Sequence, residues 1–156
     1  MPGPGLRYGR SVFATALFVA LVVAGWGFVS LLTETDVVAD RDIGPIVVPV
    51  SIGVTALAVF VALAAPRWST MTTRGAGALL GASAVLALGA VAVQLAVLGI
   101  LQFVATGSPV SLLLAIAAQA PTPYTLVVVG AAFVSAMGLG LLAAGGGGAS
   151  WPWEKD

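Results

Sequence analysis

The 156-residue chain contains no cysteine and no histidine. Without cysteine there is no disulfide, no thiolate nucleophile and no cysteine-linked lipid. Without histidine there is no imidazole base, haem ligand or histidine metal site. Charge is scarce as well. Six basic and six acidic residues make up 8% of the chain, against about a quarter in an ordinary soluble domain. Twelve charged side chains are too few to cover the outside of a soluble fold of this length. The net charge is zero, which removes any general attraction to nucleic acid. Hydrophobic residues fill 60% of the sequence, and lipid is the solvent that suits such a chain.

Charged residues punctuate the sequence and leave four uncharged apolar runs, Ser11–Leu32, Ile43–Ala65, Ala76–Val104 and Tyr124–Ala144. About 20 helical residues cross a bilayer core of about 30 Å. Each run is long enough, and each is apolar all round, whereas barrel strands would alternate every second residue. A helix satisfies its own backbone hydrogen bonds in lipid. The expected fold is therefore all-α, a polytopic transmembrane four-helix bundle. A single membrane domain over residues 11–144 would follow an N-terminal segment 1–10 and precede a Gly-rich tail 145–156. The third run exceeds the length needed, so it would tilt or project, with Gln102 marking its exit into water. Between the third and fourth spans, Ser108 and Pro109 make a good helix start, and Pro121 and Pro123 stop it. The apolar stretch between is too short to cross. A short helix over 109–120 lying on the extracytoplasmic membrane surface is expected, with a partly re-entrant placement as the alternative.

The basic residues set the orientation. Arg7, Arg10, Arg67, Arg74 and Lys155 fall on one side of a four-span chain and only Arg41 on the other. Basic loops stay in the cytoplasm, so the N- and C-termini are expected inside, in the plasma membrane. A signal peptide cleaved after Ala24 is the rival reading of the first run, but that run continues to Leu32. The loop carrying Glu34, Asp36, Asp40 and Asp42 would then face outward and keep the first connection in water. Asp42 is also a candidate cap for the second helix. The spacing "ETDVVADRD" is not that of an EF-hand, lacks its glycine and includes Arg41, so no metal ligands and no cofactor are assigned. Trp68, Tyr124, Trp151 and Trp153 lie at the ends of runs and are candidate interface anchors. The tail "GGGGASWPWEKD" reads as a glycine tether ahead of a Trp-Pro-Trp anchor. Its glycines are not a phosphate loop, because no Lys-Ser or Lys-Thr follows.

No Asp, Glu, Lys, Arg or His lies within the four runs, which argues against a proton relay or charged gate and leaves no candidate catalytic residue. The polar residues there are uncharged: Thr15, Ser30, Ser51, Thr55, Ser83, Gln94 and Ser135. Gln94 is the most demanding, because an amide in lipid needs a partner, and an interhelical hydrogen bond is the expected use. Pro49, inside the second run, would remove a backbone bond and bend the helix; together with Gln94 it is a candidate cavity contact. Small residues form candidate packing faces: Gly77 with Gly81, and Ala132, Ala136, Gly140 and Ala144. Gly53 and Ala56 share one side of the second run.

The opening run "VFATALFVALVVAGWGFVSLLTETDV", the "RDIGP" ahead of the second and the Ala/Val/Gly-rich helices resemble small uncharacterised four-span membrane proteins of high-GC Gram-positive bacteria. That resemblance implies four helices and no activity. Three functions fit the sequence. A structural or accessory bundle, packing with itself or a membrane partner in the lipid bilayer, is favoured by the small-residue faces and the lack of buried charge. A small-solute carrier or channel subunit would use Pro49, Gln94 and the 109–120 helix. A lipid-acting enzyme would have only the acidic loop to work with.

Overall fold

The computed structural model describes residues 4–34, 46–65, 68 and 75–144. Among them there are five α-helices and no strand: α1 (Pro4–Thr33), α2 (Val47–Ala64), α3 (Ala76–Thr106), α4 (Pro109–Gln119) and α5 (Pro123–Ala144). Four of these are long and apolar enough to cross a membrane, and α4 is too short. The fold thus fits an integral membrane protein. Leu31, Val85 and Val104 are 82%, 71% and 73% exposed on outward faces. Apolar exposure of this kind along every long helix is unsuited to water and natural in lipid.

The helix ends follow local chemistry. α1 stops where Glu34 takes a left-handed φ of 53°. α2 stops at Ala65, which is extended (ψ 142°) ahead of Pro66 because a following proline disfavours the helical region. α3 stops at Gly107, whose φ of 69° is left-handed and whose N–H donates to the Phe103 carbonyl at 2.7 Å. Glycine takes this conformation without steric cost. Pro109 then opens α4, where a missing N–H costs nothing. Ser108 makes no side-chain cap; Thr106 accepts its N–H instead at 3.3 Å.

The four long helices close a ring. α1 packs on α2 and α5, and α3 packs on α2 and α5. The interior is filled by Phe18, Val22, Trp26, Val59, Leu63, Leu86, Val128, Ala132 and Leu139. α4 lies outside, packed chiefly on α3. It folds back along α3 instead of leaving it sideways. Leu112 and Ile116 both press on Gly99, where an added Cβ would meet them at 3.1 and 3.0 Å. Gly99 and Ile116 lie about 12 Å either side of the Gly107 corner, so they can meet only in an antiparallel hairpin.

Several boundaries differ from the expectation. α1 begins at Pro4, which suits a first turn, and carries Arg7 and Arg10 in its first turns. α2 is described from Val47; residues 43–45, where the second run was expected to start, lie outside the described residues. α3 runs to Thr106, and Gln102 is buried instead of marking an exit into water, because the α4 hairpin extends the packed structure beyond it.

Candidate functional site

Several polar side chains inside the ring tie helices together. In the α2–α3 seam, Thr55 Oγ1 donates to Gln94 Oε1 at 2.7 Å, and Gln94 Nε2 donates to Ser51 Oγ at 3.1 Å. Ser51 passes its own proton to the Val48 carbonyl at 3.0 Å. All three side chains are buried. Ser51 and Thr55 are four residues apart and so share one face of α2, which lets one amide reach both. In the α1–α2 seam, Ser11 Oγ donates to the Leu63 carbonyl at 3.2 Å. In the α1–α5 seam, Trp26 Nε1 donates to the Tyr124 carbonyl at 3.1 Å, and the two rings meet edge to face at 6.3 Å.

The fourth seam, α3–α5, is closed by steric fit. An added Cβ on Gly140 would lie 2.3 Å from Leu79 Cδ1, and Ala132 and Ala136 on the same face of α5 are fully buried. Ser83 and Ser135 are also fully buried on these two helices, and neither hydroxyl has a hydrogen-bond partner. Gly25 permits an equally close approach in the α1–α5 seam, where a Cβ would lie 2.5 Å from Val127 Cγ1.

Each candidate residue now has a position. Gln94 makes the interhelical bonds its chemistry demands. Ala136 and Gly140 pack as expected, but Gly77 and Gly81 do not: both are exposed, with open space where a Cβ would stand. Among the described residues, that face of α3 turns away from every other helix. Pro49 falls in the first turn of α2, where the missing N–H has no intrahelical partner in any case, so no bend is required of it. It faces outward into an apolar groove of about 520 Å³ between α1 and α2, lined also by Val23, Gly27, Ile52 and Gly53. Tyr124, a candidate interface anchor, is buried against Trp26. Trp68 is half-buried and turns its indole N–H back to the Ala62 carbonyl at 2.8 Å, capping the end of α2. Asp36, Asp40, Asp42, Trp151 and Trp153 lie outside the described residues. No cluster of metal-ligating side chains occurs among those described.

Sequence reasoning missed Ser11, Gly25, Trp26 and Gly99. Trp26 alone gave a signal: an indole inside an apolar run needs an acceptor. The glycines are too common in this chain to be told apart without the contact itself.

The chain matches the Family of unknown function (DUF6121) over residues 7–156 and belongs to that family. No curated protein and no solved structure matches it.

Proposed function

We propose that this member of a family of unknown function is a structural or accessory membrane protein, a four-helix bundle that packs with itself or with a membrane partner and catalyses no reaction. The observation that carries this reading is the use of Gln94. The one amide in the middle of a long helix is spent on Ser51 and Thr55 of the neighbouring helix and is not held open toward a path or a ligand. The supports for a carrier or channel subunit are correspondingly reduced. Pro49 stands in a first turn and faces an apolar groove, where a polar solute would find no hydrogen bonds.

The distribution of Arg and Lys favours the plasma membrane with both termini in the cytoplasm, and lipid as the surrounding partner. The Ala/Val/Gly-rich helices fit a source among high-GC Gram-positive bacteria. Affinity purification in mild detergent tests the functional reading. A stoichiometric membrane protein, or a stable assembly of copies, is expected. A lone chain holding a small polar molecule would favour the carrier instead. Reporter fusions at the 66–75 connection test the orientation: activity of a periplasmic or extracellular reporter there would refute it.

A further inference from the structure

We infer that α4 is a re-entrant half-helix whose C-terminal half is seated among the acyl chains of one leaflet; the inference rests on the membrane reading above. Three contacts fix its depth. Trp26 donates to the Tyr124 carbonyl and Gly25 meets Val127, so the start of α5 is level with Trp26 on α1. α1 runs on from Trp26 to Thr33, about 10 Å further. Leu79 against Gly140 sets the antiparallel register of α3 and α5, which puts Tyr124 level with Leu95. α3 runs on from Leu95 to Thr106, about 16 Å further. α4 has 11 residues, a length of about 16 Å, and descends along α3 over that same distance. Its tip therefore ends well below the tops of α1 and α3.

The lipid boundary at this end is marked by exposed apolar side chains. Leu31 and Leu32 of α1 and Ile46 ahead of α2 are all exposed, and Leu32 stands about 9 Å above Trp26. The turn joining α4 to α5 lies below that boundary. Its own hydrogen bonding suits a place without water. The Gln119 carbonyl accepts from the Thr122 N–H at 3.1 Å, from Thr122 Oγ1 at 2.8 Å and from Thr125 Oγ1 at 2.9 Å. A backbone break inside the hydrocarbon is tolerated only when its polar groups are satisfied in this way. Leu113, Leu114, Ala117 and Ala118 are exposed on the outer side of α4, and no charged residue lies anywhere in 76–144. The occupant that covers them is the hydrocarbon that covers Leu32. Among the described residues, five helices then displace lipid in this leaflet and four in the other.

The chain has no cysteine, so single nitroxide labels can be introduced cleanly at Val110→Cys, Ala118→Cys and Leu88→Cys, all exposed positions, in phosphatidylcholine proteoliposomes. Collision with oxygen reports lipid and collision with a neutral nickel chelate reports water. The Ala118 label is expected to share the oxygen-rich ratio of the Leu88 label, and the Val110 label, nearer the Gly107 corner, to shift toward nickel. An Ala118 label as open to nickel as Val110, with Leu88 still oxygen-rich, overturns the re-entrant placement alone. A nickel-accessible Leu88 overturns the membrane reading and this inference together.

Discussion

Replacing Gln94 with methionine tests whether the polar seam holds the helices in place. Methionine keeps nearly the same length and volume, so the packing change is small. The substitution removes two interhelical bonds, from Thr55 at 2.7 Å and to Ser51 at 3.1 Å. Side-chain hydrogen bonds between membrane helices are worth about 0.6 kcal/mol on average and about 1.7 at most, so the loss should be about 1.2 kcal/mol and no more than about 3.4. The lower end is expected, because neither partner is stranded. Ser51 keeps its bond to the Val48 carbonyl, and Thr55 can turn to the carbonyl four residues back. Stability is read by titrating SDS into mixed micelles and following helicity. The cycle with Thr55→Val isolates the direct term, and its coupling should be about 0.6 kcal/mol. If Gln94→Met is as stable as the parent chain, or the cycle shows no coupling, the seam is decoration and the argument for a tied bundle fails.

The same titration ranks the glycines. Gly25→Ala should cost about 1–3 kcal/mol, because the Cβ meets a valine that is stiff about χ1. Gly140→Ala should cost less, because the ends of Leu79 can swing aside, and Gly81→Ala, which meets nothing, should cost nothing within one chain; a reversed order refutes the contact assignment. Trp26→Phe keeps an aromatic ring but loses the N–H to the Tyr124 carbonyl and part of the buried indole, so it should destabilise by more than the ~0.6–1.7 kcal/mol of the bond alone, with the change in ring packing visible in the near-ultraviolet dichroism. Pro49→Ala should leave stability within about 0.5 kcal/mol, since the proline stands in the first turn; a larger loss would show that its ring packs against α1.

The four long helices were legible because the runs are long, uncharged and bounded by charge, and a bilayer imposes that length. The polar tie at Gln94 was legible for a related reason: in lipid an amide without a partner is expensive, so a partner can be demanded from sequence alone. Which partner was not legible. Ser51 and Thr55 are ordinary small polar residues until the α2–α3 register brings them opposite Gln94. The role of Pro49 depends on where its helix starts. Pro49 reads as an interior kink only if the helix is assumed to begin with the apolar run; once α2 begins at Val47 the same residue is a first-turn proline. The surroundings of Tyr124 were not legible either: its contact with Trp26 depends on the α1–α5 register, which hydrophobicity alone does not set.

Small residues show most plainly what a single sequence withholds. Gly77 and Gly81 have the spacing of a helix-packing pair and pack nothing here, whereas Gly25 and Gly99 have no pattern around them and hold two of the closest approaches in the chain. Hydrophobicity cannot make that distinction, because lipid is as apolar as the helix faces. What selects one arrangement is shape at Gly25, Gly99 and Gly140, together with a few directional bonds. Those bonds are spread over three of the four seams: Ser11 to α2, Gln94 to α2, Trp26 to α5. A ring with three fixed seams leaves the fourth little freedom to close differently, so α3 and α5 can meet by close steric fit at Ala132, Ala136 and Gly140. Ser83 and Ser135 are then residues the ring can bury without using, and replacing either with alanine should cost less than replacing Gln94.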